Sequence, residues 1–190
     1  MIRDKILLGI FIGFLADASK LIFNYIAFKL TFTNLVFWQL IAALLLEKDD
    51  IHKPSALLIG SIADITVSIL LGVIFIYVIY FIGKEYLWIK GIGFGMLVWV
   101  SLFGVLLAQL IQGKISQDPS GILVTIVAHF IFGLSLAFFT WLLARNMTLF
   151  HEELKKLIGD DRKAFKLLKP HSLKKLLDGE RRGFKKPKKI

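Results

Sequence analysis

The chain has 190 residues, 56% of them hydrophobic, a mean hydropathy of +0.71 and a formal net charge of +10. A soluble domain averages ~45–50% apolar residues, set out in short periodic groups; the long apolar blocks of this chain exclude that class. The absence of cysteine excludes disulfides, thiolate catalysis and cysteine metal sites. Continuously apolar runs also exclude a membrane β-barrel, whose strands alternate in polarity over ~10 residues.

The first element is expected over about residues 4–28. It carries Asp17 and Lys20 and has no small-x-small cleavage pattern, so it reads as a membrane span rather than a signal peptide. Gly9 and Gly13 form a small-xxx-small face that lets another helix approach closely. A short apolar helix follows at 34–46, whose core of twelve residues, Leu35–Leu46, is only ~18 Å long. It is re-entrant or interfacial, or else a short fifth span. Pro54 then opens the next span, 56–82. GKEYLWIKG reads as a tight polar loop before a span at 88–112 with Gly91 and Gly95 along it. Asp118-Pro119 marks a turn, and the last span is 121–144.

The expected fold is therefore an all-α membrane bundle of four transmembrane helices plus the short helix, over residues 1–146. A basic amphipathic tail occupies 147–190. Residues 1–144 hold nine Lys/Arg against eight Asp/Glu, and residues 145–190 hold fifteen against six. The positive-inside bias puts that tail in the cytosol. Four spans keep Arg3 and Lys5 on the same side as the tail. Five spans would put the N-terminus outside.

KGIGFGMLVW at 90–99 and AHFIFGLSLAF at 128–138 resemble small four-span bacterial membrane proteins of Firmicutes, the YqhR-like family among them. The shared features are a Lys-Gly opening a glycine-spaced helix that carries Trp, and a His-x-x-x-Gly in the last helix. The resemblance implies a small helical bundle in the bacterial inner (cytoplasmic) membrane and transfers no activity.

An ionisable group at the bilayer centre costs ~2.5–3.5 kcal/mol on insertion scales, so it faces the bundle interior and finds a partner. Asp17, Lys20, Asp64 and His129 are the candidates, with Asn24, Gln39 and Gln109 as neutral helpers. At ~1.5 Å per residue, Asp17 lies ~20 Å above the inner end of its helix, and Asp64 and His129 each lie ~12 Å below an outer end. In a ~30 Å core the three share one layer. Three readings are open. The simplest is a structural ion pair of Lys20 with Asp17 or Asp64. The others are a proton or cation relay, and a divalent-metal site of Asp17, Asp64 and His129, which no HxxxH or HExxH spacing supports. No metal and no cofactor is expected.

No hydrolase, kinase or nucleotide motif occurs; Gly91-x-Gly93-x-Gly95 opens an apolar helix and reads as close packing. The tail sets Lys155, Lys156, Lys163, Lys166, Lys174, Lys175, Arg181 and Arg182 among leucines. Such a basic amphipathic segment binds anionic lipid head groups, with an acidic protein as the alternative partner. Nucleic acid is not expected. The leading expectation is a non-enzymatic accessory or assembly subunit, associated with other membrane subunits or with its own copies. The alternative is a proton- or cation-coupled transporter or channel subunit built on Asp17, Asp64, His129 and Lys20.

Overall fold

A computed structural model describes residues 4–102, 118–145, 147–149, 152–156 and 158. The described residues are helical and contain no strand. They form helices α1 (Lys5–Lys29), α2 (Phe37–Ala42), α3 (Pro54–Ile82), α4 (Leu87–Trp99) and α5 (Pro119–Leu143), with a 3₁₀ turn at Lys48–Asp50. The chain divides into two units, 1–147 and 148–190.

Three helices, α1, α3 and α5, are long and apolar enough to cross a membrane. In a hydrocarbon solvent every backbone group must bond within its own segment, and continuous helices meet that demand. Their start signals are local. Asp4 Oδ1 accepts from Ile6 N at 2.7 Å and Leu7 N at 3.0 Å at the head of α1. Pro54 and Pro119 each occupy the first helical turn, where a missing N–H costs nothing. The helix surfaces away from the bundle carry large exposed apolar side chains, among them Phe11, Ile22, Ile62, Leu70 and Phe130.

Two sequence boundaries shift. The loop expected at 83–91 is confined to Gly83–Tyr86, because Leu87, buried at 7% exposure, starts α4 and docks into the core. Gly83, at φ +95°, makes the left-handed stop after α3. The helix expected at 34–46 is six residues long, ~9 Å at the helical rise, and that length cannot cross a bilayer. α4 continues to Leu102, with a widened π-type turn at 100–102. The remainder of the span expected to end at 112, and Gln109 with it, lies outside the described residues.

In the first unit α1 packs against α3 and α5, α5 packs against α4, α2 lies on α3, and α3 and α4 touch little. Glycines set the closest approaches. A Cβ on Gly72 would stand 2.4 Å from Gly9 O and 2.5 Å from Gly13 N, and one on Gly133 would stand 2.3 Å from Gly91 O. Gly13 and Gly95 are equally confined, at 2.4 Å from Ser68 O and from His129 O. Lipid offers no hydrophobic drive for helix association, so such backbone-to-backbone contact is what holds membrane helices together. Gly60 faces Trp38 O at 1.9 Å by the same measure and seats α2 on α3.

The ends of the bundle are fastened differently. Lys5 Nζ lies 3.8 Å from the Tyr80 ring centroid. Lys84 Nζ donates to the carbonyls of Ala144 at 2.7 Å and Met147 at 3.1 Å, satisfying the end of α5. At the other end Ser120 Oγ lies 3.0 Å from Phe32 O. A dry core of Leu8, Ile12, Phe75, Ile76, Ile79, Phe132 and Leu136 fills the first half, and Phe37, Leu40, Ala43 and Ile51 pack together beside α2.

In the second unit Leu149 N donates to Glu152 Oε2 at 3.1 Å and Thr148 Oγ1 to Glu153 Oε1 at 3.0 Å, opening a short helical stretch. Lys155 and Lys156 are exposed on it. Lys163, Lys166, Lys174, Lys175, Arg181 and Arg182 lie outside the described residues.

Candidate functional site

Asp17 and Lys20 are one turn apart on α1, so both point to the same face. That face looks at α3, where Asp64 and Ser68 are also one turn apart. Lys20 Nζ donates to Asp17 Oδ1 and to Asp64 Oδ1, each at 2.7 Å. Ser68 Oγ donates to Asp17 Oδ1 at 2.8 Å. The ammonium also lies 4.1 Å from the Phe37 ring centroid and 5.7 Å from that of Phe132, close enough to gain from the ring faces. Asp17, Lys20, Asp64 and His129 are 1%, 3%, 4% and 3% exposed. Their charges are thus held among protein atoms, where Coulomb forces are strong and an unmatched charge is costly.

His129 on α5 borders the same space. Its Nδ1 lies 2.8 Å from Thr125 O; a carbonyl only accepts, so Nδ1 carries the hydrogen. Its ring is 5.8 Å from that of Phe37. Thr125 Oγ1 in turn accepts from Trp99 Nε1 at 3.0 Å, tying α4 to α5 beside the site. Asn24 stands apart from the charges. Its Oδ1 accepts from the backbone N of Phe37 at 2.7 Å, fixing the entry into α2. Gln39 is likewise structural, its Oε1 accepting from Val36 N at 3.1 Å.

The cluster forms one wall of a cavity of about 160 Å³. Lys20, Asp64 and His129 give it a polar end. The rest is apolar, with Phe37, Leu44, Val67, Leu71, Val98 and Phe132 among its walls. It fills the space where α3 and α4 diverge, and the widened last turn of α4 brings Leu102 to it. Widened turns of this kind recur at functional sites.

Among the described residues no three His, Cys, Asp or Glu side chains are arranged to hold a metal ion. The position between Asp17 and Asp64 that a cation would take is occupied by Lys20 Nζ. Sequence reasoning missed Ser68, Phe37 and the cavity itself. Ser68 had a signal, since it follows Asp64 by one turn on an otherwise apolar face. Phe37 and the cavity had none, because both depend on where α2 folds back. Gly9, Gly13, Gly91 and Gly95 lie in the α1–α3 and α4–α5 seams, where Gly13 backs onto Ser68 and Gly95 onto His129.

Comparison of the chain with protein families, with curated proteins and with solved structures finds no match. Function is therefore argued from the site.

Proposed function

We propose that this protein is a small membrane carrier, or the carrier subunit of a larger assembly, that works by exchanging a proton or small cation at Asp17–Lys20–Asp64. The observation that carries this reading is the charge count. Two buried carboxylates share one ammonium, and among the described residues Asp64 Oδ2 has no hydrogen-bond partner. A buried ion cluster that serves only as glue gains stability from being balanced and fully bonded. Among the described residues one carboxylate here has no cation of its own, at a depth where an unmatched charge is expensive. A bound proton or cation would restore neutrality, and a group that can be gained can be released.

The groups that face this centre are few. α1 supplies Asp17 and Lys20, α3 supplies Asp64, and α5 supplies His129. Among the described residues, α2 and α4 present only apolar side chains to the cavity.

For topology we propose four spans, with α4 and the apolar residues that follow it making the fourth. Both termini would then lie on one side. Lys5, Lys84 and Arg145 gather at that end, and the basic tail follows it in sequence, so the positive-inside bias makes it cytoplasmic. The membrane would be the bacterial inner membrane, with the tail gripping anionic lipid. No chemical step is proposed. An accessory-subunit role draws less support, because the glycine faces that could seat partner helices contact helices of the same chain.

The test uses the full chain in liposomes that enclose a pH-sensitive dye. Wild type is expected to dissipate an imposed proton gradient when sodium or potassium is supplied opposite. Asp64→Asn, incorporated equally, is expected to lose about tenfold or more of that rate, the scale of one removed charge interaction. Rates equal to those of protein-free liposomes would overturn the reading.

A further inference from the structure

We propose that the cavity where α3 and α4 diverge binds one small lipophilic ammonium ion, with its charged head at Asp64 Oδ2 and its apolar body among Phe37, Leu71 and Phe132. This rests on the reading of the cluster as a one-cation exchange centre and names the solute that would compete for it.

Size comes first. A cavity of about 160 Å³ is close to an engineered core cavity of ~150 Å³ that takes up benzene. It has room for one aromatic ring or a branched aliphatic chain, and not for an acyl tail.

Charge selects the head group. Lys20 Nζ is already directed at Asp17 Oδ1 and Asp64 Oδ1. The remaining Asp64 oxygen is buried and has no hydrogen-bond partner among the described residues, and Asp64 is one of the residues that line the cavity. An ammonium there would make a charge-assisted hydrogen bond and bring the carboxylate and cation counts level. An anion would meet the cluster's excess negative charge. A neutral alcohol could bond to Oδ2 but would leave that charge unmatched. Phe37 and Phe132 turn ring faces toward this end, as their distances to Lys20 Nζ show, and such faces favour cations.

Access selects a lipophilic body. Leu45 and Val67 belong to the cavity wall and are also 63% and 41% exposed on the flank of the bundle. A solute already dissolved in the bilayer can reach the cavity between them.

The experiment is calorimetry on the full chain in lipid nanodiscs, with empty nanodiscs as the blank for partition into lipid. Benzylamine is the probe, and benzyl alcohol and benzoate are its neutral and anionic counterparts. One benzylamine is expected per chain, held at least about tenfold tighter than benzyl alcohol, with no benzoate binding. Asp64→Asn is expected to weaken the amine by a similar factor. Because Asp64 is buried and bonded to Lys20, Leu45→Trp and Val67→Trp are measured as variants that leave that pair intact. Each fills the cavity from its rim without touching the charged groups, and is expected to abolish amine binding while keeping the wild-type unfolding temperature. Equal affinity for amine and alcohol would overturn the proposal, as would rim variants that bind like wild type. If gradient dissipation is seen without amine binding, this inference falls and the exchange reading stands. If the amine binds without any ion flux, the site stands and the exchange reading falls.

Discussion

The glycine seams and the space between α3 and α4 are built on opposite rules. In the seams, α1 meets α3 and α4 meets α5 so closely that a single added carbon would strike backbone. Between α3 and α4 the helices part, and the gap holds charge and empty volume. The contrast explains how a bundle this small tolerates a buried ion cluster. The seams supply rigidity through contacts that need no polar group, so the open side can carry groups that would otherwise destabilise it.

The comparison breaks most completely at a seam. Gly72→Leu would set a side chain against the carbonyl of Gly9 and the backbone of Gly13, which no rotamer relieves. Loss of nearly all monodisperse protein on size-exclusion chromatography is the expected outcome. Gly93, on the same helix as Gly91 and Gly95, has nothing within 4 Å of a built Cβ. Gly93→Ala should leave the yield unchanged, and a defect there would show that glycine content, rather than contact, is what matters.

Next in size is the open side. Lys20→Met leaves two carboxylates buried without a cation. It should cost about 3–5 kcal/mol, as breaking one side of a buried ion pair does, read as a drop in thermal unfolding temperature in detergent. Adding Asp64→Asn to that variant should restore part of the loss. If the double variant is worse than the single, the charge count is not what the site is organised around.

A smaller effect belongs to the hinge between the two regions. Asn24→Ala removes the only side-chain acceptor described for the Phe37 N–H, a buried group. About 1–3 kcal/mol is expected, together with easier proteolysis near α2. No change in either readout would mean that α2 is held by Gly60 and Trp38 alone.

The smallest effect lies outside the membrane. The Ser120 hydroxyl donates to the exposed Asp118 carboxylate and holds it below the usual carboxylate range. A carboxylate lowered in the folded state adds stability above its unfolded pKa and loses it as pH falls through the folded one. Asp118→Asn should therefore lower stability slightly at neutral pH and leave it unchanged at pH values below the folded pKa, which flattens the acid side of the profile.

Much of this was legible before any coordinates. Asp17, Lys20, Asp64 and His129 stand out because each interrupts an apolar run, and helical rise alone carries Asp17, Asp64 and His129 to one depth. Gly9, Gly13, Gly91 and Gly95 stand out by spacing. Their partners do not: Gly72 and Gly133 acquire meaning only when α3 and α5 are laid against the right neighbours. The fate of residues 34–46 was hidden for a related reason. Its apolar content suits a longer helix, but Asn24 and Gly60, far apart in sequence, capture its first turn and its flank. The cavity was the least legible feature, since empty volume is set by what surrounding side chains fail to fill.

The central claim is that the cluster holds one carboxylate more than it has cations and therefore binds an exchangeable counter-cation. Infrared difference spectroscopy on the protein in sodium- and potassium-free buffer tests it most directly, because only a proton can then balance the charge. The account predicts a carboxylic-acid carbonyl band in wild type at neutral pH that Asp64→Asn removes or displaces. Carboxylate bands alone, unchanged between wild type and variant, would contradict it.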